Sequence, residues 1–204
     1  MTTLYKITGP TGDPIHNGTG AWSLPHDSQP GEWREVTGDL VKCANGLHLT
    51  DDPARWWAPE CRIFEAEAEG VVGSCDDDED RKVVCRRARL TREVSRAEQA
   101  EMRIYYEGEH KVTGLPCVAA GSSSVEAWDS SSVEARDYSR VVARDSSRVV
   151  ARDSSRVVAR DSSSVEAWDY SRVVARDSSS VEARDYSRVV AWDSSSVEAW
   201  DSSR

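Results

Sequence analysis

The sequence predicts a small α+β domain over residues 1–116, followed over residues 117–204 by an all-β, two-sided β-solenoid with 16-residue coils of two octapeptides each. Three observations predict it. From Val125 to Ser203 every odd-numbered residue follows the order Val-Ala-Asp-Ser, ten times over, while the even-numbered residues vary. A period of two is the side-chain period of a β-strand, with one face locked and the other free. Arg140, Arg156, Arg172, Arg188 and Arg204 recur every 16 residues, and Tyr138, Tyr170 and Tyr186 share a second column, so two octads make one coil. Before residue 117 the pattern is different: Gly- and Pro-rich loops separate short apolar runs and two helix-start signals.

A helical tail fits poorly. An eight-residue repeat advances a helix by about 800°, roughly 80° past a whole turn, which smears the locked residues around the cylinder. A strand of about five residues with a bend at Asp-Ser-Ser puts Val and Ala inside. At ~4.8 Å per stacked strand, ten octads give about five coils and a rod of roughly 24 Å. Stacked carboxylates repel if dry, so the Asp column belongs at wet corners, accepting backbone N–H bonds or meeting arginine. Cys117 to Ser123 keeps the odd-position pattern with Cys117 for Val and Gly121 for Asp, and reads as a degenerate octad that seats the rod.

In the first domain, Leu4-Tyr5-Lys6-Ile7-Thr8 reads as an opening strand, residues 9–20 as loop, and Leu40 to Cys43 as a strand before the Asn45-Gly46 turn. Asp52 and Pro53 suit the start of a short helix through Trp57. Arg62 to Ala68 alternates as a half-buried strand, and Lys82 to Leu90 is a further one. The acidic run Asp76 to Asp80 is a solvated loop without calcium-loop spacing. Ser95 and Glu98 have capping-box spacing and open a helix toward Tyr105.

The net charge is −10, and residues 1–120 carry 14 basic against 21 acidic residues, which disfavours non-specific nucleic-acid or membrane binding. No export signal or bilayer-spanning apolar run is visible. The five cysteines are irregularly spaced without a CxxC pair, so reduced thiols in a cytoplasmic protein are expected, with no metal site. Neither a P-loop nor a Ser-His-Asp order is present.

The phrases Leu4-Tyr5-Lys6, Gly46-Leu47-His48-Leu49-Thr50, Asp52-Pro53-Ala54-Arg55-Trp56-Trp57 and Val83 to Leu90, with the tail over 117–204, resemble a bacterial and phage protein family. In that family a small N-terminal domain of unknown function precedes an octapeptide tail. The tail is also similar to the octapeptides of bacterial ice-nucleation proteins, but no ordered Thr-x-Thr row supports ice binding. Gly46 to Ala58 further resembles the second motif of ADP-ribosyltransferase folds. That resemblance implies His48 at the stacking-aromatic position, Trp57 at the helix position, Lys6 near the dinucleotide and NAD as cofactor. Lys6 departs from the usual His or Arg, and only Glu93 or Glu107 could stand for the catalytic acid.

On the rod, Val142, Val158, Val174 and Val190 should line one outer sheet beside Arg144, Arg160 and Arg176. Glu134, Glu166, Glu182 and Glu198 should line the other, with Trp168 and Trp200. Arg at the start of a strand is followed by Val-Val and Ser there by Val-Glu, which suggests two exchangeable modules. The preferred reading is a non-enzymatic structural or binding protein, with the rod as spacer, docking surface or self-association element through its C-terminal coil. Rows of Arg140, Arg156, Arg172 and Arg188 beside Tyr138, Tyr170 and Tyr186 suit a repetitive or acidic partner. The alternative is an ADP-ribosyltransferase-like enzyme with the rod as a targeting appendage.

Overall fold

A computed structural model of the protein describes residues 2–16, 18–42, 44–76 and 80–204. It divides into two compact units, Met1–Glu98 and Gln99–Arg204.

In the first unit the strands are β1 (Leu4–Thr8), β2 (Arg34–Glu35), β3 (Leu47–Thr50), β4 (Arg62–Val72) and β5 (Lys82–Glu93). All pair antiparallel, and the pairings β5–β3, β3–β1, β1–β4 and β4–β5 close on themselves, with β2 also on β5. Closure turns the inner face into one core of Trp22, Leu47, Leu49, Phe64, Val83, Cys85, Ala88 and Leu90. The alternation read in Arg62 to Ala68 leaves Glu67 and Glu69 outside, opposite Arg89 and Arg87 in register, and each pair forms an ion pair at 2.7 and 3.0 Å. Both arginines also cover the Trp33 ring, Arg87 at 4.3 Å and Arg89 at 4.8 Å from its centroid.

The expected α+β domain is corrected to a small antiparallel sheet with little helix. The turn opened by Asp52 and Pro53 is a single 3-10 turn, Pro53–Trp56, because Trp57 is already extended (ψ 144°) ahead of Pro59. The strand expected from Leu40 to Cys43 is replaced, among the described residues, by a tight loop. Val41 and Asn45 exchange backbone bonds, and the Asn45 amide donates to the carbonyls of Thr37 and Asp39. Cys43, and Asp77 to Glu79 of the acidic run, lie outside the described residues.

The Ser95–Glu98 capping box forms, with the Ser95 N–H on Glu98 Oε2 at 2.9 Å and the Glu98 N–H on Ser95 Oγ at 3.4 Å. The helix it opens, α1 (Arg96–Glu101), stops short of Tyr105. Ile104 and Tyr105 instead form β6 (Ile104–Tyr105), the first strand of the solenoid, followed by β7 (Glu109–Thr113), β8 (Pro116–Ala119) and β9 (Ser124–Trp128). From Ser132–Ala135 to Ser196–Ala199 each octad then supplies one four-residue strand. Strands alternate between a seven-stranded and a six-stranded parallel sheet, and from β8 and β9 onward register partners are 16 residues apart. The stack therefore starts at Ile104, before the repeat phrase, and holds about six turns rather than five. Tyr105 and Val112 keep the inward apolar pattern without its wording, in register with Ala119 and Ala127.

Inside, the Val and Ala columns from Val125 to Ala183 are at most 2% exposed. Each buried Val contributes roughly 1.5–3 kcal/mol. The corners carry the rest of the architecture. Asp129, Asp137, Asp145, Asp153, Asp161, Asp169, Asp177, Asp185, Asp193 and Asp201 all have φ between 54° and 60°. That left-handed conformation costs most L-residues about 1–2 kcal/mol, while Asp, Asn and Gly adopt it readily. Gly121 (φ 57°) takes it in the degenerate octad, which explains the exchange of Gly for Asp there. Following the Thr113–Trp128 pair, Gly114 (φ 67°) takes it opposite Asp129.

The chain bends so sharply at each Asp that its N–H leaves the backbone ladder. From Gly121 to Asp177 the carboxylate of the Asp one coil on accepts it: Gly121 to Asp137 at 2.9 Å, Asp129 to Asp145 at 3.1 Å, Asp153 to Asp169 at 3.2 Å, Asp177 to Asp193 at 3.4 Å. On either side the ladder continues through the corner. Arg144, Ser146 and Arg148 donate to the carbonyls of Ala127, Asp129 and Ser131. The next inward residue, Ser, is fully buried from Ser139 to Ser187 and closes the turn by donating its N–H three residues back.

This corner predicts an order of stabilities at one position. Asp153→Asn keeps both the conformation and an acceptor and should be near wild type. Asp153→Gly loses only the acceptor. Asp153→Ala loses both and should fall below Gly by about 1–2 kcal/mol. Urea unfolding midpoints check the series.

Candidate functional site

Two surfaces gather side chains with chemistry, one on each unit. On the first unit a cleft of about 650 Å³ runs over β1 and β3, bordered by the loop holding His16 and by the 3-10 turn. That volume suits a small-molecule ligand. Lys6, Trp22, Arg34, His48, Trp56 and Lys82 line it, and no Asp or Glu is among its described lining residues. Lys6 lies on β1 and donates from Nζ to the His48 carbonyl of β3 at 3.2 Å. Its ammonium stands 5.5 Å from the centroid of the buried Trp22 ring, and the Arg34 guanidinium 5.4 Å from the same centroid. Burial lowers the Lys6 pKa to about 8, with Arg34 adding to the effect and Cys85 opposing it. Burial also lowers the pKa of the His48 imidazole, helped by Lys6, Lys82 and Lys42, so His48 is held neutral at neutral pH.

The far wall is aromatic. The Trp56 indole N–H donates to the Asp80 carbonyl at 2.9 Å, and Lys82 Nζ lies 4.7 Å from the Trp56 centroid. His16 meets the Trp56 ring edge-on at 5.3 Å. Lys82 is paired with the Asp80 carboxylate at 3.0 Å. Among the described residues no carboxylate pairs with Lys6 or Arg34, and these two cations beside aromatic rings can hold an anion. Of the residues implied by the ADP-ribosyltransferase resemblance, Lys6 and His48 come together in this cleft. Trp57 is buried and does not line it; Trp56 does. Glu93 does not line it either, being bound to Arg62 at 2.6 Å, and that contact lowers its pKa.

The second surface is the rod's six-stranded sheet and the corner leading into it. Arg140, Arg156, Arg172 and Arg188 are register partners, one per rung at ~4.8 Å. All four are exposed, as is Arg204 in the same column, and among the described residues no carboxylate pairs with any of the five. Tyr138, Tyr170 and Tyr186 stand beside them, 76%, 65% and 59% exposed, and the last two stack with ring centroids 5.4 Å apart. Tyr170, Arg172, Tyr186, Arg188, Ser202 and Arg204 border a groove of about 370 Å³. Val142, Val158, Val174 and Val190 form a register row across the same sheet, with Arg144, Arg160 and Arg176 one residue past each inward Ala.

The other predicted surface residues are differently placed. Arg144 pairs with Glu126 at 3.0 Å and lies 4.6 Å over Trp128. Trp168 is half-buried under Arg152 and Arg184, at 5.4 and 4.7 Å. Trp200, in the last coil, is 55% exposed. Reading the residues alone missed Trp22, Arg34, Trp56 and Lys82 as one group, because strand pairing across 76 residues (82 − 6) brings them together. The lack of acidic residues from Thr2 to Pro10 and from Leu40 to Thr50 is the one signal of it in the chain.

No protein-family model, curated protein or solved structure matches this chain. Among the described residues no helix is long and apolar enough to cross a membrane, and no group of three or more His, Cys, Asp or Glu could hold a metal ion.

The described cysteines are free thiols. Burial pushes Cys85 up to about 11 and Cys117 up to about 12, and it raises Cys75. Thiols held protonated are poor nucleophiles. With iodoacetamide at about pH 8, native Cys61 should therefore label first, and Cys85 and Cys117 only when denaturant opens their units, as read by peptide mass spectrometry.

Proposed function

We propose that this chain is a non-enzymatic binding protein whose rod docks along its arginine–tyrosine edge to a linear acidic polysaccharide. One observation carries this reading: a column of five exposed arginines, one per rung, with no acidic partner among the described residues. Like charges held at the strand spacing of ~4.8 Å would repel by about 0.9 kcal/mol per neighbouring pair in bulk water. A chain of net charge −10 has acid enough to neutralise them, and the same rod pairs Arg136 with Glu134 and Arg184 with Glu182. Along the outer face from Arg140 to Ala143, Arg156 to Ala159, Arg172 to Ala175 and Arg188 to Ala191 the other outward residue is Val, not Glu.

A polymer with one carboxylate per sugar, laid along the rod axis, would meet one guanidinium per rung. The exposed tyrosine rings offer flat faces for the C–H side of the sugars, and arginine suits planar, two-pronged contact with carboxylates. The resemblance to octapeptide-tail proteins is compatible with this reading and adds no activity of its own.

Isothermal titration with polygalacturonate, uncharged dextran and single-stranded DNA tests the proposal. Polygalacturonate should bind, more weakly as salt is raised, and dextran should not. The double variant Arg156→Gln/Arg172→Gln should lose about tenfold or more, for removing two charge-assisted contacts. Equal binding by the variant, or tighter binding to DNA than to polygalacturonate, would overturn it.

A further inference from the structure

The cleft on the first unit raises a separate question: why a lysine stands at its base. Lys6 is largely buried, and among the described residues its polar contact is one neutral carbonyl, that of His48. Desolvating an ammonium without a counter-ion is costly, and its depressed pKa records that cost. An apolar side chain of the same length would fill the space without it. The surroundings add to that cost, since the Arg34 guanidinium lies 5.4 Å from the same Trp22 centroid and lowers the Lys6 pKa further; Lys82, the other cation of the lining, already has Asp80 at 3.0 Å. Within the same unit the exposed arginines behave oppositely: Arg62, Arg87, Arg89 and Arg92 each have a glutamate. A positive potential gathered in a concave, partly aromatic site of an acidic protein suits an anionic ligand.

We propose that this cleft binds a small phosphate monoester, with the phosphate on Lys6 and the neutral His48 side chain beside it and an aromatic body against Trp56. More than one cation converges, which favours a dianion over a single carboxylate. The second phosphate pKa near 6 makes the ligand a dianion at neutral pH. The free-protein groups facing Lys6 are Arg34, the Cys85 thiol and the His48 carbonyl; none is an anion at neutral pH.

The sign of the pH dependence follows. Lys6 is protonated below about 8, so affinity should hold from above pH 6 and fall as pH rises through 8. Binding stabilises the ammonium, so at pH 8 it should take up a proton, and titration in buffers of different ionisation enthalpy reads that uptake.

The experiment is calorimetry of the full chain with phenyl phosphate, inorganic phosphate and benzoate. Phenyl phosphate should bind best, inorganic phosphate more weakly and benzoate least. Lys6→Met should abolish binding while raising the melting temperature, because it removes a buried charge. Lys6→Arg should retain a measurable part of the binding. If Lys6→Met melts lower and phenyl phosphate still binds, or if phenyl phosphate gives no saturable heat with wild type, the inference fails. Polygalacturonate binding by the Lys6→Met variant should be unchanged, which separates this cleft from the rod edge.

Discussion

The solenoid depends on one repeated hydrogen bond: the N–H of a left-handed aspartate donated to the carboxylate of the aspartate one coil on. A parallel coil of this size must reverse direction within about four residues, and at the reversal a peptide N–H turns away from its neighbour's carbonyl. Leaving it unpaired once per octad would undo much of what the backbone ladder contributes. Aspartate meets two demands together, since its backbone tolerates φ near 58° and its side chain supplies the missing acceptor. Glycine meets the first alone, and it appears only in the opening turns, at Gly114 and Gly121. The bond also orients each carboxylate toward an N–H, which offsets repulsion along the Asp column.

With the corners satisfied, the interior needs little volume. Val and Ala interlock in register, and the small Ala leaves no room for a wider coil. The outward positions are then free to carry charge. On the seven-stranded sheet Glu134 and Glu182 neutralise the arginines two residues on, at Arg136 and Arg184. In the six-stranded sheet the arginines that open the strands, Arg140, Arg156, Arg172 and Arg188, are each followed by Val-Val, so their own strands supply no Glu to them, whereas Arg144 meets Glu126 of β9.

The first unit handles charge by position rather than by repetition. Its β4–β5 hairpin matches Glu67 and Glu69 to Arg89 and Arg87 across the strands, which neutralises that face locally. What remains is a cleft whose described lining is cationic and aromatic, built where β1 and β3 meet the loops from His16 to Trp22 and around Trp56.

Much of the second unit was legible in the chain. Period two defined strands, period 16 defined coils, and the restriction of Asp to one column marked the corner. The first turn was not legible, because Tyr105 and Val112 satisfy the interior by burial alone and carry none of the repeated wording. In the first unit the strand of Arg62 to Ala68 and the capping box of Ser95 could be read locally. The loop at Val41 could not, since its form is set by the Asn45 amide reaching Thr37 and Asp39. The Arg140 column was visible as a period, but that it lacks acidic partners while Arg144 has one emerged only from neighbouring coils. By itself the sequence determined the strand period, the coil length and the chemistry of the corner, because these are set by residues a fixed few positions apart. Tertiary structure alone decided where the stack begins, which arginines stay open and that Lys6, Trp22, Arg34 and Trp56 share one cleft, because burial and electrostatic pairing are fixed by distance in space.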